Sequence, residues 1–173
     1  EIAAPAGELR LNRPAELTGE ARYYFGLPVT SGRVAWQVTR QPEIPWWWRW
    51  WGMPGGATEV QPIASGTTAL SADGTFRVAF TPAADENDKA KGLTYIYRLE
   101  SDVTDDGGET RTGERTVRLG WAAVEALVEK PADLVVEGRA ATLVIRRQDL
   151  NATPRPGEGK WRLFALERAS RNG

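Results

Sequence analysis

The stretch GLTYIYRLESDVTDDGGETRTGERTVRLG, Gly92 to Gly120, decides the fold class. Leu93, Tyr95, Tyr97 and Leu99 alternate with Thr94, Arg98 and Glu100, so one face is apolar and the other polar at a period of two. That is the pattern of a half-buried strand. Val117 and Leu119 alternate in the same way with Thr116 and Arg118. Between the two runs, DDGGE (Asp105 to Glu109) supplies aspartate, which bonds its own backbone, and glycine, which tolerates positive φ. The stretch reads as a β-hairpin.

Working outward, the same period recurs. Val34, Trp36 and Val38 alternate with Arg33, Gln37 and Thr39, and Phe76, Val78 and Phe80 with Thr75, Arg77 and Thr81. GLPVTSG (Gly26 to Gly32) and SADG (Ser71 to Gly74) are turn signals. Strands are expected near 8–12, 18–25, 33–40, 58–66, 74–81, 93–104 and 110–120, and no segment shows a helical stripe. Seven strands with one polar face each predict an all-β fold, a seven-stranded antiparallel β-sandwich, over residues 1–120.

After Trp121 the pattern restarts, with strands expected near 122–128, 139–147 and from Trp161 to Glu167. Three strands with open edges cover too little apolar area to stand alone. Residues 121–173 are therefore read as the N-terminal portion of a second, incomplete sandwich. The start at Glu1, without an initiator Met, fits an internal piece of a longer protein.

Composition narrows the chemistry. The 173 residues include 22 basic and 23 acidic ones, with no histidine and no cysteine. Ser/His and Cys/His nucleophile pairs, imidazole or thiolate zinc sites and disulfides are excluded. The balanced charge and the lack of a basic run argue against a nucleic-acid partner. No apolar run is long enough to span a bilayer. No enzyme activity, catalytic residue, metal or cofactor is expected.

The strongest local signal is PEIPWWWRWWGMPGG, Pro42 to Gly56, with Trp46, Trp47, Trp48, Trp50 and Trp51 around Arg49. It reads as an irregular Trp-rich insertion, 41–58, between strands. Each indole can bury ~150–250 Å², so in water the cluster would form an apolar patch larger than a monomer tolerates. The sequence favours cover by its own sandwich or the adjoining domain. Contact with another domain of a longer protein is the next reading, and contact with a membrane interface or a sugar the third.

GEARYYFGLPVTSGRVAWQVTR (Gly19 to Arg40), SADGTFRVAFTP (Ser71 to Pro82) and Gly92 to Gly120, in that order and spacing, resemble macroglobulin-like domains of the bacterial-type alpha-2-macroglobulin family. The resemblance implies a scaffold role inside a secreted or periplasmic protease-trapping inhibitor of the cell envelope. Its partners would be adjacent domains of the parent and, through the parent, target proteases. The family's thioester, built from a Cys-Gly-Glu-Gln motif, cannot lie in a chain without cysteine. The alternative is a cell-surface β-sandwich binding or adhesion module that uses the Trp loop.

Three further features have plainer readings. The acidic runs Ala84 to Lys89 and Ser101 to Gly108 lack calcium-loop spacing and read as solvated turns, although a carboxylate hydrolase would draw on Asp105 and Asp106. Asn151 to Thr153 matches a glycosylation triplet but reads as an ordinary loop. Tyr95 or Tyr97 could tie its hydroxyl to backbone, as in a tyrosine corner.

Overall fold

The computed structural model describes residues 1–6, 9–43, 59–129 and 138–164. The Gly92–Gly120 stretch forms a long hairpin: β5 (Thr94–Asp105) and β6 (Thr110–Gly120) run antiparallel from Thr94↔Gly120 to Thr104↔Thr110. On the other flank of β5 lies β2 (Gly32–Glu43), followed outward by β3 (Gln61–Ala69), giving the order β3-β2-β5-β6. β1 (Ala15–Glu20) and β4 (Thr75–Phe80) pair in a second sheet. A 3-10 helix, Glu86–Lys91, precedes β5.

Alternation places one face of each sheet in a common core. Leu17, Phe76, Val78 and Phe80 come from one sheet, and Val34, Val38, Tyr95, Tyr97, Leu99, Val103, Val117 and Leu119 from the other. All are buried, as a two-layer sandwich requires. Two aromatic rings lie across glycines of the neighbouring strand. Trp36 faces Gly66, where a Cβ would come within 2.7 Å of the indole, and Phe76 covers Gly19 in the same manner. These glycines make room for rings rather than for turns.

The strand map differs from the sequence expectation in places. Residues 9–12 form no strand. Asn12 turns the chain at φ 57° and clasps Ala84, its Oδ1 accepting from the Ala84 N–H at 2.8 Å and its Nδ2 donating to the Ala84 carbonyl at 3.1 Å. Leu11 enters the core as the plug of that turn. The outer place on β1 is taken instead by the first residues: the Ala3 N–H donates to the Thr18 carbonyl and the Glu20 N–H to the Glu1 carbonyl, with Ile2 bridged to Gly19 and buried. The strand expected at 18–25 is Ala15–Glu20, because Tyr23 to Gly26 reverse in a tight turn, Gly26 at φ 89° donating to the Tyr23 carbonyl.

β2 is longer than expected and takes in Gln41, Pro42 and Glu43, the first residues assigned to the insertion. Proline is tolerated there because pairing with β3 ends at Arg40↔Gln61, so Pro42 faces only β5. Beyond Trp121, β7 (Val124–Val128) and β8 (Ile145–Asp149) form a separate antiparallel pair. β8 begins later than the strand expected at 139–147, and Trp161 to Phe164 form no strand and are exposed.

Candidate functional site

The tryptophans Trp46, Trp47, Trp48, Trp50 and Trp51, with Arg49, lie outside the described residues. The structure does describe the end of the sandwich from which their segment leaves and to which it returns. Arg40 donates to the carbonyl of Ala83 at 2.6 Å and to Gln61, and its guanidinium sits 5.0 Å from the centre of the Tyr95 ring. The Tyr95 hydroxyl donates to Asp88 at 2.6 Å, and Lys91 salt-bridges the same carboxylate at 2.8 Å. Hydrogen bonds from Lys91 and Tyr95 outweigh desolvation and hold the Asp88 carboxyl below its usual range. Burial first, then the Asp88 contact, pushes the Tyr95 phenol well above its ordinary value.

The most connected polar group at this end is Arg118, on β6. Its Nε and Nη2 donate to Glu43, the last residue of β2, at 2.9 and 2.8 Å. Nη1 and Nη2 donate to the two oxygens of Glu125 on β7, at 3.2 and 3.3 Å, and Nη1 also to the Leu150 carbonyl at 2.6 Å. Burial works against the guanidinium charge, but the two carboxylates outweigh it and raise the Arg118 pKa. One cation therefore joins the root of the Trp-rich segment, the edge of the sandwich and the β7–β8 pair.

A second fastening lies beside it. The side-chain amide of Asn151 accepts from the Arg118 N–H at 2.9 Å and donates to the Arg118 carbonyl at 3.1 Å. An Asn side chain sets a C=O acceptor beside an NH2 donor, as a peptide group does, so it reproduces what a neighbouring strand would offer one residue. Asp149 shapes the loop that presents Asn151, accepting at 2.9 Å from the Thr153 N–H and at 3.0 Å from the Asn151 N–H. Those backbone bonds lower its pKa. Leu150, between them, is buried against Gly120. The Asn-Ala-Thr triplet thus sits in a loop whose asparagine is already engaged.

The other predicted candidates fall into structural roles. Tyr97 donates to the Ala83 carbonyl at 2.8 Å, the backbone tie anticipated for one of the two tyrosines, and burial raises its pKa to about 12. Asp105 closes its own hairpin, accepting from the Glu109 N–H at 2.9 Å, and Asp106 accepts from Ser31 at 2.5 Å. Asp85 caps the 3-10 helix by accepting from the Asn87 N–H at 2.9 Å. The aspartates and Glu86 of both acidic runs are engaged within the fold, Asp85, Asp105 and Asp106 in caps and turns, Asp88 with Tyr95 and Lys91, Asp102 with Thr112 and Glu86 with Asn12. The Arg118 cluster escaped sequence reading, because its partners lie 75 and 7 residues away and no spacing rule connects them.

No protein-family model matches the sequence, and a search of curated proteins finds no match. Solved structures do match. The native conformation of Escherichia coli alpha-2-macroglobulin aligns over 88% of this chain with a TM-score of 0.55 and 12% identity. The trypsin-activated form of the E. coli protein aligns over 84% with a TM-score of 0.55 and 12% identity. The form activated by porcine elastase aligns over 88% with a TM-score of 0.55 and 13% identity. The chain spans only 10% of the length of the first two and 14% of the third. At this identity the likeness is one of fold: antiparallel macroglobulin-like β-sandwich architecture, consistent with the resemblance carried by the sequence motifs.

Proposed function

We propose that this chain is a non-catalytic scaffold portion of an alpha-2-macroglobulin-like, protease-trapping protein that works in the periplasm or outside the cell. The observation that supports it best is the extent of the fold likeness. An alignment over 88% of the chain is more than residues 1–120 could supply, so it runs on into the β7–β8 region. That extent supports a reading as two consecutive sandwiches of one array, the first spanning 1–120 and the second opening at 121.

In this reading Arg118 fixes the first sandwich to the second, and the exposed apolar side chains of β7 and β8 are covered by further strands of the second sandwich. Trp46, Trp47, Trp48, Trp50 and Trp51, with Arg49, contact an adjoining domain. The placement of Glu43 supports this, since the segment leaves the sheet from a residue already bound to the cation that holds Glu125. Aromatic residues and arginine are enriched in the cores of such interfaces. Without histidine or cysteine the chain holds neither a His-activated nucleophile nor a thioester.

The test is made on the full-length parent. After mixing with a protease, a trap leaves hydrolysis of a small chromogenic substrate nearly intact while digestion of a large protein substrate falls steeply. Equal inhibition of both, or of neither, rejects the trap.

A further inference from the structure

We propose that the outer edge of β6, with the groove beside it, accepts an extended acidic segment of a partner polypeptide as an added strand. Among the described residues the edge is free over most of its length. In the β5–β6 hairpin the Asp105 N–H donates to the Glu109 carbonyl at 3.0 Å. Hydrogen-bonded pairs alternate with non-bonded ones in an antiparallel ladder, so the even-numbered residues of β6 point their N–H and C=O away from β5. Arg118 obeys this rule, since its outward N–H and C=O are the groups that Asn151 binds. Thr112, Glu114 and Thr116 then present three further outward pairs, and no other strand among the described residues lies beside β6.

The opposite edge of the same sheet differs. β3 carries Pro62, which has no N–H to offer, and a register shift opposite Val38 and Thr39, two common devices for blunting an edge. β6 runs for 11 residues with no proline and no register shift. One rung is already filled by a side chain that imitates a strand, and the next rungs are open among the described residues.

The groove selects the kind of segment. It has a volume of about 1160 Å³, and its lining includes Leu9, Leu11 and Leu119. Its lining carries Arg10, Arg115, Arg118, Arg147 and Arg155 against one carboxylate, Asp149. Arg118 is neutralised by Glu43 and Glu125, and Arg155 by Asp149. Arg147 donates only to the carbonyls of Arg155 and Pro156, and Arg115 only to that of Ile2, so neither forms an ion pair among the described residues. Main-chain bonds to Glu114 and Thr116 would supply affinity, and carboxylates would meet Arg115 and Arg147. A second copy pairing edge to edge would bring the same arginines together, which like-charge repulsion opposes.

The test titrates the 173-residue chain into two fluorescent peptides, acetyl-Val-Asp-Val-Glu-Val-Asp and acetyl-Val-Lys-Val-Lys-Val-Lys, and follows anisotropy. The acidic peptide should bind at least tenfold more tightly, and Thr116→Pro should weaken it at least tenfold. Because the Thr116 N–H points outward, that proline removes no bond within the sheet, and circular dichroism checks that the fold is kept. If Thr116→Pro fails to fold, Arg115→Glu provides the same reading through the groove's charge. Three results overturn the proposal: no binding of the acidic peptide at millimolar concentration, equal binding of both peptides, or affinity untouched by the substitutions. Concentration-dependent dimers abolished by Thr116→Pro would assign the edge to self-pairing and overturn it equally.

Discussion

The sandwich and the β7–β8 pair use the same strand chemistry and reach opposite ends. In the sandwich every second residue of β5 from Tyr95 to Val103 is buried, and the facing sheet supplies the cover. In the small pair Val124, Leu127, Val128, Leu143, Val144 and Ile145 all remain exposed, from 37% at Val124 to 63% at Val128. Alternation makes an amphipathic strand in both regions, but only a second layer turns it into a core. The apolar effect is worth ~25 cal/mol per Å² only for area actually removed from water. The two regions should therefore answer differently to the same kind of truncation.

The largest contrast comes from comparing Tyr97→Ala with Leu127→Ala. Tyr97 is 1% exposed, bonds Ala83 and meets Tyr95 edge to face with ring centres 6.4 Å apart. Its removal opens a cavity in the core, while the Ala83 carbonyl keeps its bond from Arg40, at a cost of about 3–5 kcal/mol. Leu127 is 44% exposed, and its truncation should move stability by no more than ~0.5 kcal/mol. Urea unfolding followed by tryptophan and tyrosine signals measures both. Equal effects would mean that Leu127 is covered in solution, and the contrast between the regions would fail.

Alkali probes the same core without mutation. The Tyr97 phenol, ordinarily near 10, is raised in the fold to about 12, chiefly by burial. A raised folded pKa means that the stabilising contribution is complete below the unfolded value and disappears as pH climbs through the folded one. Stability should therefore fall between about pH 10 and 12, by roughly 2–3 kcal/mol from this residue. Tyr95 is raised by burial and by Asp88, and adds in the same direction. Tyr97→Phe should flatten the decline in that window. An unchanged slope would show that Tyr97 titrates as though exposed.

Much of the sandwich was legible because its information is local. The alternation around Tyr95, Phe76 and Val34, and the turn residues at Asp105–Glu109, fix strands and hairpins from neighbours in sequence. The failures have equally physical causes. Residues 8–12 look like a strand, but the Asn12 amide finds a partner 72 residues away and turns the chain. Ile2, Ala3 and Glu1 take the place beside β1 through backbone bonds that carry no side-chain signature. The Arg118 site was invisible for a related reason: an arginine between Val117 and Leu119 resembles any solvated strand position until the fold brings Glu43 and Glu125 to it.

That cluster gives the finest test of the comparison, because it is where the covered and uncovered regions are fastened. Arg118 is 31% exposed and Glu125 22%, so their bonds are partly screened and a modest effect is expected. Arg118→Ala should cost about 1–2 kcal/mol, since it removes charged hydrogen bonds and leaves two carboxylates facing each other. Asn151→Ala should cost about 1 kcal/mol or less, because water can replace the amide at an exposed strand edge. The informative readout is local. Amide hydrogen exchange in β7 and β8 should accelerate in both variants, while exchange in β2 and β5 stays close to that of the parent chain. If exchange instead rises evenly through both regions, the β7–β8 pair belongs to the same cooperative unit as the sandwich. Arg118 would then be one more core-edge residue rather than a fastening between two bodies.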